Sequence, residues 1–145
     1  MTFDKMFNPR SVAVVGASGA VHNPATSIFL NNLMSFGYKG KIYPINPNFA
    51  EVCGLKAYPT VLDVPGPLDH VISGVKASLI PELLKQCIAK GVSTLHLYTA
   101  GFAETGDDDR CVMQQDIVAI AKGSGVRIIG PNCMGIYSPK AGISF

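Results

Sequence analysis

Between residues 11 and 35 the chain changes character twice within a few positions, and this constrains its fold more than any other feature. Val12, Ala13, Val14 and Val15 form an unbroken apolar run, as expected of a strand covered on both faces. From there the side chains shrink to Gly16, Ala17, Ser18, Gly19 and Ala20, after which Ile28, Phe29, Leu30, Leu33 and Met34 recur at helical spacing. A strand, a turn of tiny residues and a fresh helix N-terminus together make an anion site. Main-chain N–H groups without helical partners and the positive end of the helix dipole point at whatever lies there. The small side chains let a phosphate approach the main chain closely.

The rest of the chain repeats the alternation. Lys41-Ile-Tyr-Pro-Ile45 reads as a second strand closing on Asn46, Pro47 and Asn48, and Pro44, which cannot donate to a ladder, predicts an edge. Residues 51–58 are ambiguous, with a tight turn at Gly54, and Thr60 to Asp63 predicts one capped turn. Residues 68–73 form the third strand. The helix after it takes Ser78 as its cap, repeats Leu79, Ile80, Leu83, Leu84, Cys87 and Ile88 at helical spacing, and closes at Lys90-Gly91. Residues 94–98 make a fourth strand. Asp107, Asp108 and Asp109 then open a third helix with Met113, Ile117, Ile120 and Ala121 facing inward. Residues 126–129 are the fifth strand, running into Gly130-Pro-Asn-Cys-Met-Gly135. The rhythm predicts a single α/β domain, a doubly wound, parallel, five-stranded Rossmann-like sheet with right-handed crossovers. Ligands of such sheets sit beyond the carboxyl ends of the strands, where strand order reverses. The five carboxyl-end segments here are small, polar or glycine-rich, which favours a nucleotide-type ligand.

Composition narrows the classes. Charged residues are 15% of the 145, against roughly 25% in an ordinary soluble domain, and mean hydropathy is +0.28. No apolar run reaches the roughly 18 residues a membrane helix needs, and the first residues lack a secretory signal. A charge-poor surface implies coverage by other domains or a partner subunit. With the apolar ending at Ile143 and Phe145, it leads us to expect that residues 1–145 are one domain of a longer, multidomain chain. A net charge of +2, with no sequence cluster of Lys or Arg, argues against nucleic acid. Cys53, Cys87, Cys111 and Cys133 lie far apart without a C-x-x-C pair, which fits neither a zinc site nor a disulfide scaffold and suits a reduced, cytoplasmic setting. No metal site is expected, and the Asp107–Asp109 cluster is read as a helix start.

Among nucleotides, NAD(H) is the obvious candidate, and two features oppose it. The turn Gly16-Ala-Ser-Gly19 is not G-x-G-x-x-G, and the second strand ends in Ile45-Asn46-Pro47-Asn48, with no acid for a ribose hydroxyl. A P-loop is absent as well. By contrast, Val14-Val-Gly-Ala-Ser18, Gly37-Tyr-Lys-Gly-Lys-Ile-Tyr-Pro-Ile-Asn-Pro-Asn48, Gly54-Leu-Lys-Ala-Tyr-Pro59, Ala100-Gly-Phe-Ala-Glu104 and Gly130-Pro-Asn-Cys-Met-Gly135 come in an order and spacing that resemble a known family. This is the N-terminal CoA-binding domain of NDP-forming acyl-CoA synthetases, relatives of the succinyl-CoA synthetase α subunit.

The resemblance implies coenzyme A as ligand. Gly16, Ala17, Ser18, Gly19, Ala20 and His22 would wrap its phosphates. Asn46, Asn48, Ser73, Gly74 and Lys76 would flank the adenosine and ribose. Thr99, Ala100, Gly101 and Phe102 would line the pantetheine channel toward residues 130–135. It implies that the domain binds without catalysing. The acid–thiol ligase chemistry, through a phosphohistidine and with ATP or ADP and Mg, belongs to other domains or subunits, near which Glu104 would lie. Three positions depart from the family: Asn48 stands where relatives often carry lysine, Lys76 where they tend to have proline, and Asn23-Pro24 where a Gly-Lys pair is common. Lys76 is therefore expected to supply a 3′-phosphate contact that position 48 lacks. His70 and His96 are expected to be packing or surface residues. Cys133 is expected to be structural, although a helix starting there would activate its thiol. A CoA-sensing regulatory module, free-standing or fused to a protein acyltransferase, is the alternative function, and an NAD-dependent oxidoreductase the third.

Overall fold

The computed structural model describes residues 3–19 and 24–144. Five parallel strands form the sheet: β1 (Ser11–Val15), β2 (Lys41–Ile45), β3 (His70–Ser73), β4 (Thr94–Leu97) and β5 (Arg127–Ile129), in the order β2-β1-β3-β4-β5. Three helices make the crossovers: α1 (Pro24–Ser35), α2 (Ile80–Lys90) and α3 (Asp108–Ala121). Chain order reverses at β1, which places the switch point between β1 and β3.

Alternation along the strands divides the core in two. Ala13, Val15, Val71, Leu95 and Leu97 face α2 and α3, where Ile80, Leu83, Leu84, Cys87 and Ile117 are buried against them. Val12, Val14 and Ile72 face α1 and pack on Phe29, Leu30 and Leu33. One helix cannot cover that second face. His96, fully buried on β4, donates from Nε2 to the Cys133 carbonyl at 2.8 Å, so the irregular segment after β5 covers what α1 leaves open. The chain then closes with a small hairpin, Tyr137–Ser138 with Ile143–Ser144.

Local chemistry explains the element ends. Thr60 and Asp63 form the expected capping box on the 3-10 turn Val61–Asp63, and Asp107 caps α3 by accepting from the Asp109 and Arg110 amides. Gly91 ends α2 in the left-handed region. The ambiguous stretch is a two-residue hairpin, Glu51–Val52 with Leu55–Lys56. β2 is an edge strand, as Pro44 requires, and Tyr58 bonds beside it through the Pro44 carbonyl and the Asn46 amide. Two expectations are corrected. Ser78 does not cap α2: it lies inside a 3-10 turn, Ala77–Leu79, that leads into the helix, and no side chain caps that helix start. No helix starts at Cys133, because residues 130–136 run as bends and irregular chain, with positive φ at Gly130, Asn132 and Gly135. Among the described residues no helix is long and apolar enough to cross a membrane.

Candidate functional site at the carboxyl ends of the strands

At the end of β1 the chain turns through Gly16 at φ +81°, a conformation that disfavours any Cβ. A Cβ there would also stand 2.9 Å from Val75 Cγ1. Gly74, directly after β3, is closer still to its neighbour: a Cβ would come within 2.3 Å of Thr26 Cγ2, so its bare backbone lets the first turn of α1 descend onto the β3 end. Thr26 Oγ1 donates to the Gly16 carbonyl at 3.0 Å, and Asn46 Nδ2 donates to the Ala17 carbonyl at 2.8 Å. The turn is thus held from the helix on one side and from β2 on the other. Ala17 and Ser18 are buried under it, and among the described residues the Ser18 hydroxyl has no hydrogen-bond partner although Ser18 is only 4% exposed. An orphaned buried donor is costly and points to a ligand atom that the protein does not itself supply.

Two adjoining clefts flank this turn and share Val75. The first, about 360 Å³, is lined by Gly16, Asn46, Pro47 and Asn48 on the β1–β2 side and by Thr60, Leu79 and Glu82 opposite. The second, about 320 Å³, lies between Gly74, Lys76, Thr99, Ala100 and Asn132. Together they make a path across the carboxyl edge from β2 to the loop after β5. Asn46 Oδ1 accepts from the Asn48 amide at 3.0 Å, which shapes the first wall. Ser73 and Thr99 share a hydroxyl–hydroxyl bond of 3.1 Å, and Thr99 also donates to the Val75 carbonyl at 2.8 Å, fixing the floor of the second.

The residues singled out in the sequence therefore divide by role. Gly16, Asn46, Asn48, Gly74, Lys76, Thr99 and Ala100 line the clefts. Ser73 is fully buried and acts through Thr99. Phe102 lines neither cleft; its ring is wholly inside the core between the sheet and α2 and α3, because the loop after β4 folds inward at that point. Gly101 and Phe102 instead present amides to Glu104, whose two carboxylate oxygens accept them at 2.6 and 3.1 Å. The Gly101 amide foremost holds the Glu104 carboxyl below its ordinary range; burial opposes it, and the Glu104 and Phe102 amides add to the lowering. Gly19 lies at the end of the described turn, and Ala20 and His22 lie outside the described residues. The sequence reading missed Glu82, which lines the first cleft from α2, because an acid on a helix surface carries no signal of the cleft beside it.

The other candidate side chains have structural places. Burial pushes the His70 imidazole down to about 3, with repulsion from His96 adding to the effect, and burial lowers His96 as well despite its bond to Cys133. The two rings stand 6.2 Å apart in the core, and His96 meets Phe29 edge-on. The cysteines are free thiols, and no group of three or more His, Cys, Asp or Glu among the described residues could hold a metal.

A five-stranded parallel sheet with a glycine turn at its switch point defines a nucleotide-binding class of α/β domain. Comparison with known proteins is more specific: a family described as "CoA binding domain" matches residues 10–139. The chain is 39% identical over 137 residues to an acetate–CoA ligase (ADP-forming) II of Archaeoglobus fulgidus, covering 94% of this chain and 20% of that protein. It is 40% identical over 141 residues to the acetate–CoA ligase (ADP-forming) II α subunit of Pyrococcus furiosus, covering 97% and 30%. Among solved structures, the dinucleotide-forming acetyl-coenzyme A synthetase 1 of Ca. Korarchaeum cryptofilum, in complex with phosphate and ADP, superposes with a TM-score of 0.86 at 38% identity, over 95% of this chain and 29% of that one. The chain belongs to the CoA-binding domain family and corresponds to the N-terminal part of NDP-forming acyl-CoA synthetases. It spans less than a third of the length of these relatives.

Proposed function

We propose that the chain is the CoA-holding part of an ADP-forming acyl-CoA synthetase, an acid–thiol ligase whose remaining chemistry, with ATP or ADP and Mg, is done by other domains or subunits. The observation that carries the reading is the glycine turn at the switch point, held by Thr26 and Asn46, with an unpartnered Ser18 hydroxyl and two clefts beside it. Small residues in such a turn let a diphosphate meet the main chain. Coenzyme A supplies the thiol, and the residues of this chain bind and aim it. Gly16, Ala17, Ser18 and Gly19 take the diphosphate, and Ala20 and His22 are assigned to the same phosphates. Asn46, Asn48 and Gly74 bound the adenosine end. Thr99 and Ala100 direct the pantetheine toward the loop after β5, with Gly101 and Phe102 backing that wall through their main chain. Catalysis is assigned to none of them. Glu104, already engaged by two amides, is a loop-shaping acid that faces a partner domain. The setting is cytoplasmic, with the four thiols reduced.

NAD(H) is disfavoured by the same geometry. β2 is followed by Asn46, whose amide is committed to the turn, and the strand end itself carries no acid for a ribose; the carboxylate of the first cleft, Glu82, comes from α2 on the opposite wall. Lys76, exposed at the edge of the second cleft and without a carboxylate partner among the described residues, is free to meet a 3′-phosphate. Calorimetric titration with CoA, dephospho-CoA, NAD and ATP tests the reading: CoA binds most tightly, dephospho-CoA more weakly, and NAD weakest. Equal or tighter NAD binding would overturn it.

A further inference from the structure

At the opposite end of the sheet the fold assembles a cleft that the CoA reading does not use. It measures about 470 Å³, larger than either carboxyl-end cleft, and sits where β1 and β2 begin. Three segments far apart in the sequence meet there: Arg10 before β1, Phe36 to Gly40 between α1 and β2, and Lys140 with Gly142 in the terminal hairpin. Its floor is tightly built. Tyr38 Oη donates to the Pro9 carbonyl at 2.9 Å, and a Cβ on Gly142 would stand 2.6 Å from the Tyr38 nitrogen.

The charge there is one-sided. Arg10, Lys39 and Lys140 all line the cleft, and none of its lining residues is acidic. The carboxylate that meets Arg10 is already occupied, since Asp69 accepts the Arg10 amide at 3.0 Å and Lys5 Nζ stands 3.1 Å from it. Arg10 reaches Asp69 only through Nε at 3.7 Å, with its side chain 81% exposed. Lys39 and Lys140 form no ion pair among the described residues. Phe36 contributes an aromatic ring at the rim, 59% exposed.

From this arrangement we infer a second anion site, specific for a small compound carrying two or more phosphates. Three cations lining one cleft over a packed floor match the charge of a diphosphate, and an open guanidinium end suits its oxygens. A base attached to that diphosphate would lie against Phe36, which separates a nucleoside diphosphate from the inorganic ion. β1 is five residues long, which puts the two sites roughly 15 Å apart at about 3.3 Å per residue, so they fill independently. The inference stands apart from the CoA reading.

Amide chemical shifts of the whole 145-residue chain, followed during titration with sodium pyrophosphate and with ADP, test it. Pyrophosphate is expected to move Lys39, Gly40, Lys140 and Gly142, with an affinity that falls as salt is added. The exposed double variant Lys39→Glu/Lys140→Glu is expected to lose that binding by about tenfold or more, while CoA still shifts Gly16 and Gly74. ADP binding more tightly than pyrophosphate at these amides, with the advantage lost in Phe36→Ala, assigns the site to a nucleotide. Equal affinities assign it to the inorganic anion. Absence of amino-end shifts, or shifts unchanged in the double variant, overturns the proposal. Loss of the CoA shifts alone would count only against the carboxyl-end reading.

Discussion

The two ends of this sheet hold clefts of comparable size by opposite means. The carboxyl end carries little charge, one acid at Glu82 and one cation at Lys76 among apolar, glycine, asparagine and threonine walls, and the proposed recognition there is by main-chain groups and an unpartnered hydroxyl. The amino end is cationic, built from three long side chains around a floor of packed turns. Main-chain recognition needs the backbone bare and its turn immobilised, and at this end lie two glycines, Gly16 and Gly74, whose added Cβ atoms would stand 2.9 and 2.3 Å from neighbouring side chains, with bonds from Thr26 and Asn46 holding the turn. Side-chain recognition needs only charge held in proximity, so its residues can come from anywhere in the chain. β3 joins the two regimes. It starts beside Asp69, which pairs with Lys5 and Arg10, passes through buried His70, and ends at Gly74.

The largest effect expected comes from that strand. Because the folded His70 is held near 3 while an unfolded histidine titrates near about 6.5, the unfolded chain binds the extra proton between those values. Stability is therefore complete above about pH 6.5 and falls on acidification by up to about 1.4 kcal/mol per pH unit for this one group. Asp69 behaves differently. Burial opposes its charge, but the Arg10 amide and Lys5 outweigh it and leave its carboxyl below the ordinary range, so its contribution is lost only at more acidic pH. Denaturant titrations from pH 7 to 4 check this, and His70→Leu is expected to flatten the slope that Asp69→Asn leaves in place between pH 6.5 and 5.

Next in size is Gly16→Val, which sets a branched side chain against Val75 at a positive φ. We expect CoA affinity to fall by about a hundredfold or more, because main-chain recognition tolerates no displacement of the turn. Pyrophosphate binding at the amino end should persist, and calorimetry on the two ligands separates the outcomes. The smallest effect is expected from Lys76→Ala. A single exposed charge–phosphate contact contributes roughly threefold to tenfold, and it should disappear from CoA while leaving dephospho-CoA unchanged. Equal weakening of both would remove Lys76 from the 3′-phosphate.

Legibility in the sequence follows the same division. The carboxyl-end turn could be read because its information is local: the apolar run through Val15, the glycine at 16 and the helical spacing from Ile28 adjoin one another. The caps at Thr60 and Asp107 were legible for the same reason. The capping role of Ser78 was misread because Pro81 and a 3-10 turn supply the helix start without it. The ring of Phe102 was placed in the channel because its neighbours suggested a loop, whereas only the fold shows that loop turning into the core. The amino-end cleft was invisible in principle: positions 10, 39 and 140 form no cluster in the chain, and only the pairing of β1 with β2 and the packing of the terminal hairpin on Tyr38 bring them together.

The central claim is that main-chain groups at the switch point hold the diphosphate of coenzyme A. A crystal structure of the chain grown with CoA tests it most directly. The account predicts diphosphate density against Gly16 to Gly19 with the Ser18 hydroxyl donating to it, and pantetheine running past Thr99 toward residues 130–135. Density for CoA elsewhere, with the Ser18 hydroxyl still unpartnered, would contradict it.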